Sequence, residues 1–159
     1  MPNITLRKIK PADKKYFARW WRDKILLKLT SGALRRISDK EVDVYFQAIL
    51  NSTKNHHYLV VAGGTVVGHV SSIKRKENWY ETQIVIGDKK YWGKGYGSVA
   101  IKLLIKKAQR RRASKIYLEV RPNNNRAIRV YEKRGFKKVR TVVYPKSRHL
   151  PKTVRMELQ

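Results

Sequence analysis

Cysteine is absent from this chain of 159 residues. Disulfides, thiolate metal sites and a cysteine nucleophile are therefore excluded. Acidic residues are scarce, 11 against 38 lysines and arginines, which leaves a formal charge of +27. No apolar run approaches the roughly 20 residues that span a bilayer. The opening residues, Met1 to Lys10, alternate like a strand and lack the continuous apolar core of a signal peptide. Four histidines (His56, His57, His69 and His149) show no spacing that suggests a metal site. The expectation is a metal-free, cytoplasmic protein with no membrane span. Its length fits one domain, 1–159, with room for a core.

Positive charge is what the sequence has in excess. It favours polyanion partners such as ribosomal or transfer RNA, or an anionic acceptor. The same balance arises from a host proteome rich in lysine and arginine, with the charges dispersed over a solvated surface. Even the densest run, Lys106 to Arg112, has an ordinary explanation, since it would end a helix where cations are favoured.

Periodicity gives a mixed α/β order. Ile4, Leu6 and Ile9 suggest a first strand, and Pro11-Ala-Asp13 opens a helix expected to run to about Leu29. Ser38 to Glu41 reads as a capping box before a helix carrying Val42, Tyr45, Phe46, Ile49 and Leu50. Tyr58–Ala62 and Thr65–Val70 flank Gly63-Gly64 as a hairpin. A strand from about Trp79 to Ile86 leads into a glycine-rich loop and a helix with Ile101, Leu104, Ile105 and Ala108 on one stripe. Lys115–Val120 is a strand, Asn124–Arg134 a short helix capped by Gly135, and Val139–Tyr144 pairs with Thr153–Leu158.

The loop itself, Trp92-Gly93-Lys94-Gly95-Tyr96-Gly97-Ser98, is the strongest local signal. Its glycines let backbone approach a ligand closely, and the helix beginning near Ser98 offers unpaired amides and a favourable dipole. Together they suit phosphate oxygens, a pyrophosphate above all. A Walker A loop would end in Gly-Lys-Ser/Thr, which is missing, so a nucleoside triphosphatase is disfavoured. A dinucleotide fingerprint would put its third glycine or alanine at Ser98, inside a βαβ unit near the front of the chain. Glu119 has about its acidic spacing of ~20 residues, but is embedded in Ile116–Val120.

A second motif follows, Leu118-Glu-Val-Arg-Pro-Asn-Asn124-Asn-Arg-Ala127-Ile-Arg-Val-Tyr131-Glu-Lys-Arg-Gly135-Phe136. The glycine loop resembles the acetyl-CoA pyrophosphate loop of the GCN5-related N-acetyltransferases, and Asn124 to Phe136 resembles their second cofactor motif. Leu118-Glu-Val, Asn124, Ala127-Ile128, Tyr131-Glu132 and Gly135-Phe136 are similar to ribosomal-protein N-terminal acetyltransferases. Ile86 to Gly97 is closer to the branch acetylating alanine, serine and amino sugars. One departure stands out: Trp92 occupies a position where the family usually carries Arg or Gln.

The resemblance implies a single α/β domain with a central mixed, mostly antiparallel sheet and about four flanking helices. It also implies that acetyl-CoA donates an acetyl group to a primary amine. Backbone groups of Ile84, Val85 and Ile86 would hold the pantetheine arm where two parallel strands splay apart. Trp92, Gly93, Lys94, Gly95, Tyr96, Gly97 and Ser98 would hold the pyrophosphate, with Asn124 capping the later helix and touching the cofactor. Tyr131 would be the acid for the leaving sulfur. Glu119 and Glu81 compete as the base, Glu119 by its Leu-Glu-Val setting and Glu81 by its strand position. The acceptor is expected to be a protein N-terminal amine, met beside a ribosome or RNA. A small amine such as an amino sugar or amino acid derivative is the alternative. A non-catalytic RNA-binding module on the same fold is a third reading, which scattered tryptophans would suit.

Overall fold

The computed structural model describes residues 2–159. Seven strands form one sheet: β1 (Ile4–Lys8), β2 (Asn55–Ala62), β3 (Thr65–Lys74), β4 (Trp79–Ile86), β5 (Lys115–Val120), β6 (Phe136–Val143) and β7 (Lys152–Leu158), in the order β1-β2-β3-β4-β5-β7-β6. Every neighbouring pair is antiparallel except β4 with β5.

Strand alternation sends successive side chains to opposite faces, and both faces are covered. On one side Tyr58, Val60, Val70, Ile116, Leu118 and Met156 meet the apolar stripe of α4 (Tyr96–Arg110), where Ala100, Ile101, Leu104 and Ala108 are fully buried. On the other, Leu59 packs under Phe17, Trp20, Leu26 and Phe46. These come from α1 (Lys14–Trp21), α2 (Lys24–Leu29) and α3 (Asp39–Leu50). Each fully buried aliphatic side chain contributes about 1.5–3 kcal/mol.

Several local expectations hold at the level of single bonds. The Ser38 hydroxyl accepts from the Glu41 amide and the Glu41 carboxylate accepts from the Ser38 amide, completing the capping box of α3. The Asn124 side chain accepts from the Ala127 amide at the start of α5 (Asn125–Lys133). The single helix expected from Pro11 to Leu29 is instead a short 3-10 turn followed by α1 and α2. Asp23 is the reason. Its side chain accepts from the Ile25 and Leu26 amides, capping a new helix instead of continuing the old one. The new axis buries Leu26 and leaves Ile25 54% exposed. The break also raises the number of α-helices among the described residues to five.

The parallel pair positions the site. β4 and β5 are in register only over Trp79–Glu81 against Lys115–Tyr117. Beyond that rung β4 stays paired with β3 as far as Ile86, while β5 stays paired with β7 as far as Val120. The two strands therefore fork. The Thr82 hydroxyl, donating to the Tyr117 carbonyl, bridges the start of the opening. Past it, backbone groups on the β4 edge facing β5 have no sheet partner and are available to a guest.

Candidate active site

Two cavities meet at this fork. The first runs from the ends of β4 and α2 to the glycine loop and α5, and is mostly apolar. Gly93 (φ +72°) and Gly95 (φ +82°) hold the loop in left-handed backbone that other residues adopt only with strain. A Cβ on Gly93 would meet nothing within 4 Å, so the loop leaves open space beside it. Gly95 is the N-cap of α4 and offers no capping side chain. The Val99 amide is the first to bond back to Gly95, leaving the amides of Tyr96, Gly97 and Ser98 free for phosphate oxygens. α4 begins at Tyr96, two residues ahead of its expected start.

Ten of the eleven residues expected at the cofactor line this cavity: Ile84, Val85, Ile86, Trp92, Gly93, Gly95, Tyr96, Gly97, Ser98 and Asn124. Lys94 does not. It lies between two left-handed glycines with its side chain in solvent, so only its backbone belongs to the loop. The Ser98 hydroxyl accepts from Arg134 Nε at 2.8 Å, which fixes it in place and leaves its O–H and the Ser98 amide as donors.

Trp92 turns its indole inward. Its Nε1 donates to the Ile86 and Gly87 carbonyls at 3.0 and 3.1 Å, fixing the loop to the end of β4. The guanidinium of Arg126 stacks over the indole ring, 3.7 Å from its centroid, and lines the same cavity. Partial burial lowers its pKa from the ordinary arginine value, and among the described residues it has no carboxylate partner. Nothing local in the sequence announced Arg126. The one hint was the unusual tryptophan it covers.

The second cavity, of about 470 Å³, opens on the other side of the fork. It holds both candidate carboxylates, Glu81 at the last paired rung of β4 and Glu119 near the end of β5. Glu81 is buried, and its Oε1 accepts from Arg75 Nη2 at 2.6 Å and Nε at 3.1 Å. Among the described residues Glu119 has only hydroxyl donors: Tyr144 Oη and Thr153 Oγ1 both reach its Oε1 at 2.5 Å. Burial, and then the bond to Glu119, push the Tyr144 hydroxyl up to about 12, so it stays protonated and donating at neutral pH. Tyr144 and Thr153 lie 25 and 34 residues beyond Glu119, and no local pattern linked them to it.

Tyr131 lines both cavities, together with Ile84, Val85, Asn124 and Ala127. Its ring packs edge-on against Phe136. Its hydroxyl makes no protein hydrogen bond among the described residues, and burial drives its pKa well above the usual tyrosine value. A phenol held neutral between an apolar slot and an acidic cavity can give a proton to a group arriving there.

Residues 17–136 match the profile of the acetyltransferase (GNAT) family. The chain belongs to that family. It is 34% identical over 97 residues to the N-alpha-acetyltransferase RimI of Mycobacterium tuberculosis. That match spans 59% of this chain and 60% of the length of RimI. Among solved structures, it superposes on aminoglycoside acetyltransferase AAC(6')-Ib in complex with coenzyme A at a TM-score of 0.82. The identity there is 22%, with 99% of this chain and 95% of the other covered. Spermidine N-acetyltransferase from Vibrio cholerae, in complex with CoA and spermine, gives a TM-score of 0.82 at 20% identity, covering 98% and 94%. These two likenesses concern the fold, which they share over nearly all of this chain. No group of histidine, cysteine, aspartate and glutamate that could hold a metal occurs among the described residues. None of their helices is long and apolar enough to cross a membrane.

Proposed function

We propose that this GNAT chain transfers an acetyl group from acetyl-CoA to a protein N-terminal amine, within the cytoplasm. The observation carrying this reading is Tyr131, shared by the glycine-loop cavity and a carboxylate-lined one. The thioester supplies the acetyl group. Glu119 takes the proton that the acceptor amine must lose, directly or through a water. Ile84 and Ile86 direct backbone groups to the β4 edge facing β5, where they hold the pantetheine arm, while Val85 turns its carbonyl to Gly68 of β3 and lines the slot. An N–H on that edge supports the charge that develops on the carbonyl oxygen. As the C–N bond forms and the C–S bond breaks, Tyr131 gives its proton to the sulfur and regains one from solvent.

The N-terminal acceptor is supported by the RimI likeness and by the Leu118-Glu-Val setting of Glu119. Polycationic acceptors suit a chain of +27 poorly, because its average field repels them. The decisive measurement is acetyl transfer to a panel of N-terminal peptides, an aminoglycoside, a polyamine and a nucleotide-linked amino sugar. Peptides are expected to lead. A small amine turned over while peptides are not would replace the protein acceptor, and no turnover with any amine would favour the binding module.

The charge is unevenly distributed. From residue 89 onward lie 22 of the 38 bases but only three of the 11 acids, and neither α4 nor Arg111-Arg112 contains an acid. We include in the proposal an association of the α4 face with ribosomal RNA. Co-sedimentation with ribosomes should fall steeply as salt rises, because phosphate contacts release counterions. No binding even at low salt would leave the charge as composition.

Arg126 is expected to contribute the phosphate contact. Arg126→Ala should weaken coenzyme A binding about tenfold by calorimetry, the size of one charge-assisted hydrogen bond of about 1.5 kcal/mol. Pantetheine, which lacks the phosphates, should bind both forms equally. Equal weakening of pantetheine would make Arg126 a packing residue of Trp92.

A further inference from the structure

We infer that the acceptor is a peptide whose N-terminus is followed by acidic residues: the cavity that receives the amine has an acidic floor and a basic rim. The inference rests on the N-terminal reading above and narrows it. The floor is Glu81 and Glu119, a place for an ammonium group to lose its proton. The rim is made by two loops, residues 30–38 between α2 and α3, and residues 144–151 between β6 and β7. Thr30 and Ser31 from the first, and Tyr144 and Leu150 from the second, line the cavity wall.

Arg121, just past β5, makes the two loops one rim. Its Nε and Nη2 donate to the Thr30 carbonyl at 3.2 and 3.1 Å, and Nη2 also donates to the His149 carbonyl at 2.8 Å. A Cβ on Gly32 would come within 2.6 Å of that same His149 oxygen, so the loops touch through backbone. The exposed charges they carry are all positive: Arg35 and Arg36 on one, Lys146 and Arg148 on the other. Glu41 neutralises Arg35 at 2.6 Å. Arg36, Lys146 and Arg148 make no ion pair among the described residues. Loop 144–151 contains no carboxylate.

An extended chain advances about 3.3 Å per residue, so its third to sixth residues lie roughly 7–17 Å from the amine. Acidic side chains there meet the rim while the amine stays at the floor. Basic side chains there would be repelled. Because the rim charges are solvated, they act on capture rather than on the chemical step, and salt screens them within about 10 Å at 0.1 M.

The test uses peptides sharing their first two residues and differing only at positions three to six, which are Asp/Glu, Ser or Lys. At low salt, kcat/KM should be about tenfold higher for the acidic peptide than for the Ser peptide and lowest for the Lys peptide. The difference should sit in KM with kcat shared, and should shrink at 0.5 M salt. The double change Lys146→Glu and Arg148→Glu should bring the acidic-to-Ser ratio to one or below. Lys137→Glu with Lys138→Glu, at the opposite end of the β6–β7 hairpin, should keep it, which separates the rim from the overall charge. Thermal melting confirms that both variants fold. Equal kcat/KM for the three peptides, a preference for lysine, or a ratio untouched by the rim reversal overturns the inference while leaving N-terminal acetylation in place. Turnover of a nucleotide-linked amino sugar with no peptide acetylated overturns both.

Discussion

Tyr131→Phe is expected to lower kcat by about 10²- to 10⁴-fold, the range that a positioned acid or base contributes. Coenzyme A affinity should stay within about twofold. The asymmetry follows from what the hydroxyl touches. The ring is buried and keeps its edge-on contact with Phe136, which phenylalanine reproduces. The oxygen has no protein partner among the described residues, so its removal strands no donor or acceptor. Only a proton is lost, one that a tyrosine holds at neutral pH and that burial binds more firmly. The readouts are steady-state turnover with an N-terminal peptide, calorimetric binding of coenzyme A, and melting temperature. Turnover within about twofold of the parent would leave Tyr131 a packing residue, and a fall in melting temperature of many degrees would make the rate loss uninformative about acid catalysis.

The parts of this molecule that were legible in the sequence are those whose cause is local. β4 and β5 were read with their observed bounds, because turn residues bracket them and β-branched or aromatic residues fill them. The capping box of α3 is four residues long and declares itself. The glycine loop was visible for the same reason, since glycine spacing and an uncapped helix start are adjacent in the chain. Asp23 was legible in principle, but the helix expected from Pro11 to about Leu29 ran straight through it and concealed the cap. What the sequence could not supply is contact across distance. Arg126 reaches Trp92 over 34 positions, Arg121 ties Thr30 to His149, and Tyr144 and Thr153 converge on Glu119. Each is set by where strand pairing and loops bring distant segments together, which no periodicity encodes. The choice between the two glutamates was open for the same reason.

That choice leads to the second large effect. Glu119→Gln is expected to lower kcat by about 10²-fold or more, and Glu81→Gln by less than about tenfold. Both carboxylates reach the acceptor cavity, so position alone does not separate them. Their partners do. Glu81 is held by two bonds from one guanidinium, and Arg75 in turn is raised in pKa chiefly by that bond. A carboxylate so committed serves as a structural anion. Arg75 is itself 49% exposed, so losing the pair costs stability only modestly, about 0–1 kcal/mol. Glu119 is steered by two neutral hydroxyls on one oxygen, while its second oxygen makes no hydrogen bond among the described residues. Glu81 also keeps one oxygen without a hydrogen bond among the described residues, so the difference lies in the cationic partner of Glu81 against the neutral partners of Glu119. Glutamine preserves the shape, and the hydroxyls of Tyr144 and Thr153 can rotate to suit either end of its amide. The variant should therefore fold and bind coenzyme A normally while losing the proton acceptor. Steady-state kinetics on both variants, with melting curves, decide the matter. A large loss in Glu81→Gln with near-normal Glu119→Gln reverses the assignment. Near-normal turnover in both would mean that solvent takes the proton and that the acidic floor serves only to hold the ammonium group.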